Sequence, residues 1–402
     1  MSQFSELPIG AYLQARLAAA QFTTPTPIQE AAIPAAIEGK DLFATAQTGT
    51  GKTLAFLVPV MDRLVAEAAT GVSVLILVPT RELALQVAEV HELLRGKKLP
   101  PAAVVIGGNN ERAQISQLRQ ARVVVATPGR LEDFLDRNLI SLRGVHTLVL
   151  DEADRMFDMG FLPSVRRITA LLPKKRQTLC FSATLLPSVV EVVKQYMNQP
   201  QRIALGSTSK PCANVKVQAF EVNRGNKQQT LEHLLRSARG RCLVFARTKR
   251  GTERLAKSLA REGFAAARIH GDRSQSQRIE ALNGFQEGRF KVLVATDVAS
   301  RGIHVDDIEH VINYDLPQIA EDFIHRAGRT ARAGGSGMAS TLYEGYQSLE
   351  LKELERALGI RIERQSLELQ PAADPSLRWQ SDPTGPRSSL RPLPGEFIQR
   401  AV

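Results

Sequence analysis

Six short, largely apolar runs in the first half of this chain each give way to a small polar cluster. That alternation constrains the fold more than any other feature. Residues 42–45, 74–78, 103–106, 123–126, 147–150 and 178–181 run in turn into AQTGTGKT, PTREL, GGNN, TPGR, DEAD and SAT. Apolar runs of strand length separated by helical patterns predict a parallel sheet buried on both faces by helices. In such a sheet the carboxyl ends of the strands line the binding crevice, so six polar clusters at six strand ends describe one face. The second half repeats the habit, with 243–245, 267–269, 292–295 and 311–312 running into ARTK, HGD, TDVASRG and NYD. The expected fold is therefore α/β, with two similar parallel-sheet domains, 1–206 and 215–366, whose crevices face each other across a cleft. Residues 207–214 are small, polar and proline-bearing, which predicts a linker. From 367 to 402 the chain carries six prolines and no apolar periodicity, and reads as a mostly irregular tail. The only tryptophan, Trp379, lies there beside Arg378.

The chemistry concentrates at two of the clusters. Ala46-Gln47-Thr48-Gly49-Thr50-Gly51-Lys52-Thr53 sits between a strand and the amphipathic run 54–64. The general phosphate-binding loop begins with glycine and here begins with Ala46, but GxGKT between strand and helix keeps the needed physics. Gly49 and Gly51 let backbone amides turn toward phosphate oxygens, and the helix N-terminus adds partial positive charge. Lys52 would reach the β- and γ-phosphates, and the Thr53 hydroxyl would ligate Mg²⁺. About a hundred residues later an apolar strand ends in Asp151-Glu152-Ala153-Asp154. Asp151 is placed to hold Mg²⁺ or one of its waters, and Glu152 to orient and activate the attacking water. On their own, three acids there would be ordinary helix-start residues; with the phosphate loop they complete a nucleotide site. Asn226-Lys227 continues as Gln-Gln, so the NKxD base-reading pattern of GTPases is missing, as is the LSGGQ signature of transporter ATPases.

Charge indicates what the nucleotide serves. The chain holds 52 Lys and Arg against 41 Asp and Glu, net +11. Residues 1–206 are net +4, 207–366 net +7 and 367–402 neutral. The excess belongs to the two folded halves, chiefly the second, and predicts a polyanionic partner, nucleic acid being the usual one. No stretch reaches the roughly 18–20 apolar residues that span a bilayer. Cys180, Cys212 and Cys242 form no CxxC pair, which argues against a disulfide scaffold or cysteine zinc site and suits a reducing compartment. His91, His146, His233 and His310 show no metal spacing. The expectation is a cytoplasmic monomer without membrane association.

At this point the chain resembles the DEAD-box RNA helicases, by the order and spacing of about a dozen motifs from Phe4 to about Leu342. The resemblance implies two tandem RecA-like domains, ATP and Mg²⁺ as cofactors, and RNA as partner. Phe22-Thr-Thr-Pro-Thr-Pro-Ile-Gln29 is similar to the family's Q motif, which implies that Phe22 stacks on adenine and Gln29 hydrogen-bonds its edge; Gln21 stands where the family usually has glycine. His325-Arg-Ala-Gly-Arg-Thr-Ala-Arg332 resembles motif VI, which implies that Arg329 and Arg332 reach the γ-phosphate as arginine fingers. Arg301-Gly302-Ile-His304 departs from the family's RGxD, and His304 in place of the aspartate predicts weaker ATP binding or an altered pH dependence. Ser182-Ala-Thr184 resembles motif III and implies, with Asp154, Arg301 and His325, a coupling between ATP and the cleft. The RNA track that the resemblance marks comprises Pro79, Thr80, Arg81, Gly107, Gly108, Thr127 and Arg130 in the first half. In the second half it comprises Arg247, Gly271, Asp272, Gln275, Arg278 and Thr296. Such groups position a backbone without reading sequence, and contacts to 2′-hydroxyls favour RNA over DNA. The short tail and motif order look most like the bacterial RhlE-type branch. The implied activity is ATP-dependent local unwinding of RNA; an ATP-gated RNA clamp with little unwinding and a DNA-directed helicase are the other readings.

Overall fold

The computed structural model describes residues 3–46, 50–68, 70–184, 187–205, 214–297, 308–331 and 336–367. Gln47, Thr48, Gly49, Gly302, Arg301, His304, Arg332 and the expected linker and tail lie outside the described residues, save Asn214 and Leu367 at their edges.

The first half runs α1 (Ala11–Ala19), α2 (Pro27–Ile37), β1 (Leu42–Thr45), α3 (Lys52–Ala66), β2 (Val74–Leu77), α4 (Arg81–Arg95), β3 (Ala103–Val105) and α5 (Glu111–Leu118). It continues β4 (Val123–Ala126), α6 (Pro128–Asp136), β5 (Thr147–Leu150), α7 (Ala153–Asp158), α8 (Leu162–Ala170), β6 (Gln177–Ser182), α9 (Pro187–Tyr196) and β7 (Gln201–Ala204). The second half runs β8 (Val215–Val222), α10 (Lys227–Ser237), β9 (Arg241–Phe245), α11 (Lys249–Arg261), β10 (Ala266–Ile269), α12 (Gln275–Gln286), β11 (Val292–Ala295) and β12 (Ile308–Asn313). Helix Ala320–Ala327, β13 (Gly337–Glu344), helix Ser348–Leu358 and β14 (Glu363–Gln365) complete it.

Among the described residues the strands form two parallel seven-stranded sheets, ordered β3-β4-β2-β5-β6-β1-β7 and β10-β11-β9-β12-β13-β8-β14. Successive side chains of a strand point to opposite faces, so each strand supplies two cores. Val74 and Ile76 enter one cluster and Leu75 and Leu77 the other; Val123 and Val125 divide in the same way from Val124 and Ala126. Burial on both faces explains why β1, β2, β4 and β5 are covered at every position.

Strands with that double burial were legible; those without it were not. β7 (QRIA) buries only Ile203, β14 (ERQ) buries nothing, and β8 interleaves Lys216, Gln218 and Glu221 with its apolar residues. None reads as an apolar run. β12 extends the expected 311–312 to six residues, with an irregular register between Ile308 and His310. No helix among the described residues is long and apolar enough to cross a membrane.

Strand order sets the chemistry. β6 lies between β1, which leads into the phosphate loop, and β5, which leads into the acidic cluster. Thr45 pairs with Ser182 and Leu150 with Cys180, so Ser182-Ala-Thr184 emerges between the two halves of the nucleotide site.

Candidate active site and nucleic-acid interface

Ala46, which stands where a glycine is usual, lies one residue past β1: its N–H donates to the Ser182 carbonyl at 3.0 Å and its carbonyl accepts the Lys52 ammonium at 3.0 Å. Lys52 is buried at the first position of α3. The turn before it does require glycine. Gly51 has φ +89°, and a Cβ there would collide with the Gln29 amide.

That near-contact reflects a grip the sequence did not disclose. Thr26 and Gln29 start α2 as a capping pair, the Gln29 carbonyl oxygen accepting the Thr26 N–H at 2.9 Å. From there the Thr26 hydroxyl donates to the Thr50 carbonyl at 2.8 Å and the Gln29 amide to the Gly51 carbonyl at 3.0 Å. Gln29, expected at the adenine edge, is thus bonded to the phosphate loop. Phe22 is half-buried against the core beside it.

Asp151 extends β5 by donating its N–H to the Leu77 carbonyl, and one carboxylate oxygen accepts the Glu152 N–H at 2.9 Å. Its side chain is shut from water, and burial pushes its pKa up to about 7, with the neighbouring Glu152 and Asp154 charges adding to the rise and Lys52 opposing it. A buried carboxylate in that condition calls for a cation. Asp151 with the Thr53 hydroxyl fits Mg²⁺, which takes few protein oxygens and completes its shell with water and phosphate. Among the described residues no group of three or more His, Cys, Asp or Glu could hold a metal.

Glu152 adopts a left-handed backbone, φ 51°, as the N-cap of α7, and its carboxylate forms a buried ion pair with Arg155 one turn on. Asp154 points the other way. One of its oxygens accepts the Ala183 N–H (3.0 Å), the Thr184 N–H (2.8 Å) and the Thr184 hydroxyl (2.9 Å), while Ser182 donates to the Thr184 carbonyl (2.7 Å). The last carboxylate of the acidic cluster therefore clamps the segment after β6.

The second half approaches at this point. His325, on helix Ala320–Ala327, lies in the field of Asp154, Glu152, Arg155 and Arg329, and burial pushes its imidazole down to about 4. Arg329 is buried, and its Nε donates to the His325 carbonyl at 3.2 Å. Between them Arg326, to which the sequence assigned no role, forks onto both Asp297 oxygens (2.6 and 2.7 Å) and reaches the Asn313 side chain and the Asp315 carbonyl (each 3.0 Å). It fixes the helix that carries His325, and with it the turn that carries Arg329, to the strand ends. Its signal was the first arginine of HRAGR, overshadowed by Arg329 and Arg332, the two expected to meet phosphate.

A cavity of about 650 Å³ lies along the same face, lined by Pro79, Thr80, Arg81, Gly107, Thr127 and Arg130 from the first half and by Gly271 and Arg278 from the second, with Arg273 and Met159 among the others. The Arg81 guanidinium covers Gly107 and Gly108; a Cβ at Gly108, where φ is +83°, would lie 2.5 Å from it. Arg130 is ion-paired with Asp133 (2.5 Å) and Glu111 (3.0 Å). Five expected track residues are not on this wall, Gly108 among them, covered by Arg81. Asp272 is exposed and paired with Lys249 (2.6 Å), and Thr296 is buried. Gln275 is drawn to Glu82, described next. Arg247 lines a different cavity, of about 370 Å³, with Tyr346 and Glu350, because Asp315 holds its backbone and the Leu316 carbonyl its guanidinium.

Glu82 joins the halves. It is buried at the start of α4; one of its oxygens accepts the Gln275 amide at 3.1 Å and the other forms an ion pair with the Arg278 guanidinium at 3.0 Å, both partners from the first turn of α12. Removing one member of a buried charged pair strands the other, typically at about 2–5 kcal/mol. A Glu82→Ala chain should therefore need at least tenfold more RNA for half-maximal ATPase stimulation. An unchanged RNA titration would mean that the pair does not carry closure.

Known proteins resemble this chain in sequence and fold. The DEAD/DEAH box helicase family model matches residues 26–192, and the helicase conserved C-terminal domain model matches residues 226–334. The DEAD-box ATP-dependent RNA helicase CshA of Geobacillus kaustophilus is 37% identical over 382 residues, covering 94% of this chain and 81% of the relative. Among solved structures, S. cerevisiae Dbp5 bound to RNA and ADP BeF3 superposes with a TM-score of 0.83 at 30% identity, covering 91% of this chain and 96% of that one. The DEAD box protein of the hyperthermophile Methanococcus jannaschii, at 39% identity, gives 0.54, covering 90% and 99%.

Proposed function

The chain belongs to the DEAD-box ATP-dependent RNA helicases, and from that premise we propose that it couples ATP hydrolysis to local opening of RNA duplexes through a site divided between its two halves. The carrying observation is the Glu82 bridge on the cavity that both halves line. When the halves part, the cavity loses Gly271 and Arg278, and His325 and Arg329 withdraw from the acidic cluster.

In this reading ATP lies on the phosphate loop, with Lys52 on the β- and γ-phosphates and Thr53 and Asp151 holding Mg²⁺, which neutralises charge on the phosphate oxygens. Gln47, Thr48, Gly49, Thr50 and Gly51 supply backbone donors. Glu152, steadied by Arg155, orients the water and takes its proton. Arg329, with Arg332, stabilises charge on the transferring phosphoryl group. Gly302 and His304 meet the ribose, and Arg301 with His325 passes occupancy of the nucleotide site to the cleft. RNA backbone binds along Arg81, Gly107, Thr127, Arg130, Gly271 and Arg278, where positively charged forks and exposed amides suit phosphates of any sequence. The coupling is reciprocal: RNA tightens ATP as much as ATP tightens RNA. A strand held across a closed cavity does not fit a straight duplex, so closure favours local strand separation.

Steady-state ATPase with and without single-stranded RNA, beside Glu152→Gln and a duplex-release assay, tests this. RNA should stimulate turnover, the variant should lose it by at least about a hundredfold, and duplex should be released in step with ATP consumed. RNA-stimulated turnover without release would replace unwinding by an ATP-gated clamp, and turnover indifferent to RNA would overturn the divided-site reading.

A further inference from the structure

Helix α11 carries Arg250, Arg254, Lys257 and Arg261 at intervals of four, three and four residues, all on its exposed side. That spacing forms one stripe along a helix, about 16 Å long at 1.5 Å per residue. Thr252, Leu255, Ala256 and Leu259 make up the buried side. Of the four cations only Lys257 has an acidic partner, Glu253 at 3.2 Å; among the described residues Arg250, Arg254 and Arg261 form no ion pair. Exposed arginines without a carboxylate among the described residues occur elsewhere too, Arg112, Arg143 and Arg202 among them, but those three are scattered over a helix, a loop and a strand, whereas the α11 cations share one line. The stripe is a line of four cations, three of them without an ion pair among the described residues, in the half that carries most of the chain's positive excess.

It is also continuous with the cavity. α11 leaves the carboxyl end of β9, capped by Thr248, and its first residue, Lys249, lies beside Gly271 on the cavity wall, its Nζ 3.6 Å from where a Gly271 Cβ would stand. The helix then runs away from the crevice, so the cations lead outward from the cavity mouth.

We propose that the α11 stripe is a second nucleic-acid track, one that holds the phosphates of an RNA strand after it leaves the interdomain cavity. This rests on the reading of that cavity as the RNA site. Guanidinium and ammonium groups on flexible stems suit a polyphosphate backbone and carry no base information. The track therefore adds affinity in proportion to the length of RNA beyond the cavity, without altering the ATP site.

The test uses the full chain with Arg250→Gln, Arg254→Gln, Lys257→Gln and Arg261→Gln combined, all exposed positions. Binding and RNA-stimulated ATPase are measured against uridine oligomers of about five and about twenty nucleotides over a range of salt. Each single-strand phosphate neutralised contributes about 0.7 to the slope of log affinity on log salt. The variant should lose between two and three from that slope for the long oligomer and bind it at least tenfold more weakly in low salt. The short oligomer should bind and stimulate as for the unmodified chain. Equal behaviour of variant and parent toward the long oligomer overturns the track. Equal weakening for both lengths also overturns it, replacing it with a diffuse field. Loss of binding to an acidic polypeptide, with long-RNA binding intact, assigns the stripe to a protein partner instead. Failure of the unmodified chain to bind either oligomer would count against the cavity reading itself, an outcome distinct from all of these.

Discussion

An Arg329→Ala chain is expected to hydrolyse ATP about 10³–10⁵ times more slowly than the parent at saturating RNA, with ADP binding retained. The expectation follows from what surrounds the side chain. Arg329 is buried and its Nε is anchored to the His325 carbonyl, which places a fixed guanidinium beside an imidazole that itself faces Glu152 and Asp154. A preoriented cation next to transferring phosphate stabilises the charge that develops in the transition state without reorganisation. Arg329→Lys keeps the charge and loses the fork, and should recover only a small part of the rate. Single-turnover hydrolysis checks both, with thermal melting to confirm that each variant folds. A loss below tenfold for the alanine variant would remove Arg329 from the reaction.

Asp151→Asn is expected to abolish turnover, by at least about 10³, while making the free protein harder to unfold. Burial raises the Asp151 pKa to about 7 from an ordinary 3.8, so the folded chain holds this proton more tightly than the unfolded one. The sign follows: the contribution to stability is complete below the unfolded value, falls as pH rises between the two, and has become a penalty of a few kcal/mol above pH 7. Asparagine is isosteric and can still accept the Glu152 N–H without bearing that charge. The variant should melt several degrees higher than the parent at pH 8 without nucleotide, and close to it near pH 4. Adding Mg²⁺ and ATP should stabilise the parent and narrow the gap. A lower melting temperature for Asp151→Asn at pH 8 would refute the account.

Local signals were legible and distant ones were not. β4 and β11 coincide with their expected ranges because both faces of each are covered, leaving no polar interruption to blur the pattern. The edge strands β7 and β14 carry little apolar residue to detect. In the site, Lys52 and Asp151 were readable because glycines, lysine and carboxylates stand at fixed offsets from a strand end. The bond from Gln275 to Glu82 was not, since its partners are 193 residues apart and each is an ordinary helix-start residue alone. The placing of Arg247 was not legible either: it stands at a strand end, but Asp315 and Leu316, 68 and 69 residues on, hold it toward the other cavity.

The bonds from Thr26 and Gln29 to the phosphate-loop carbonyls carry a kinetic consequence. A base that pulls on the Gln29 amide also moves the loop that must grip the triphosphate. Recognition of the purine and alignment of the scissile bond then become one event. A mismatched nucleotide that enters such a site through its phosphates is therefore expected to lose kcat more than KM, which steady-state turnover of GTP beside ATP would measure.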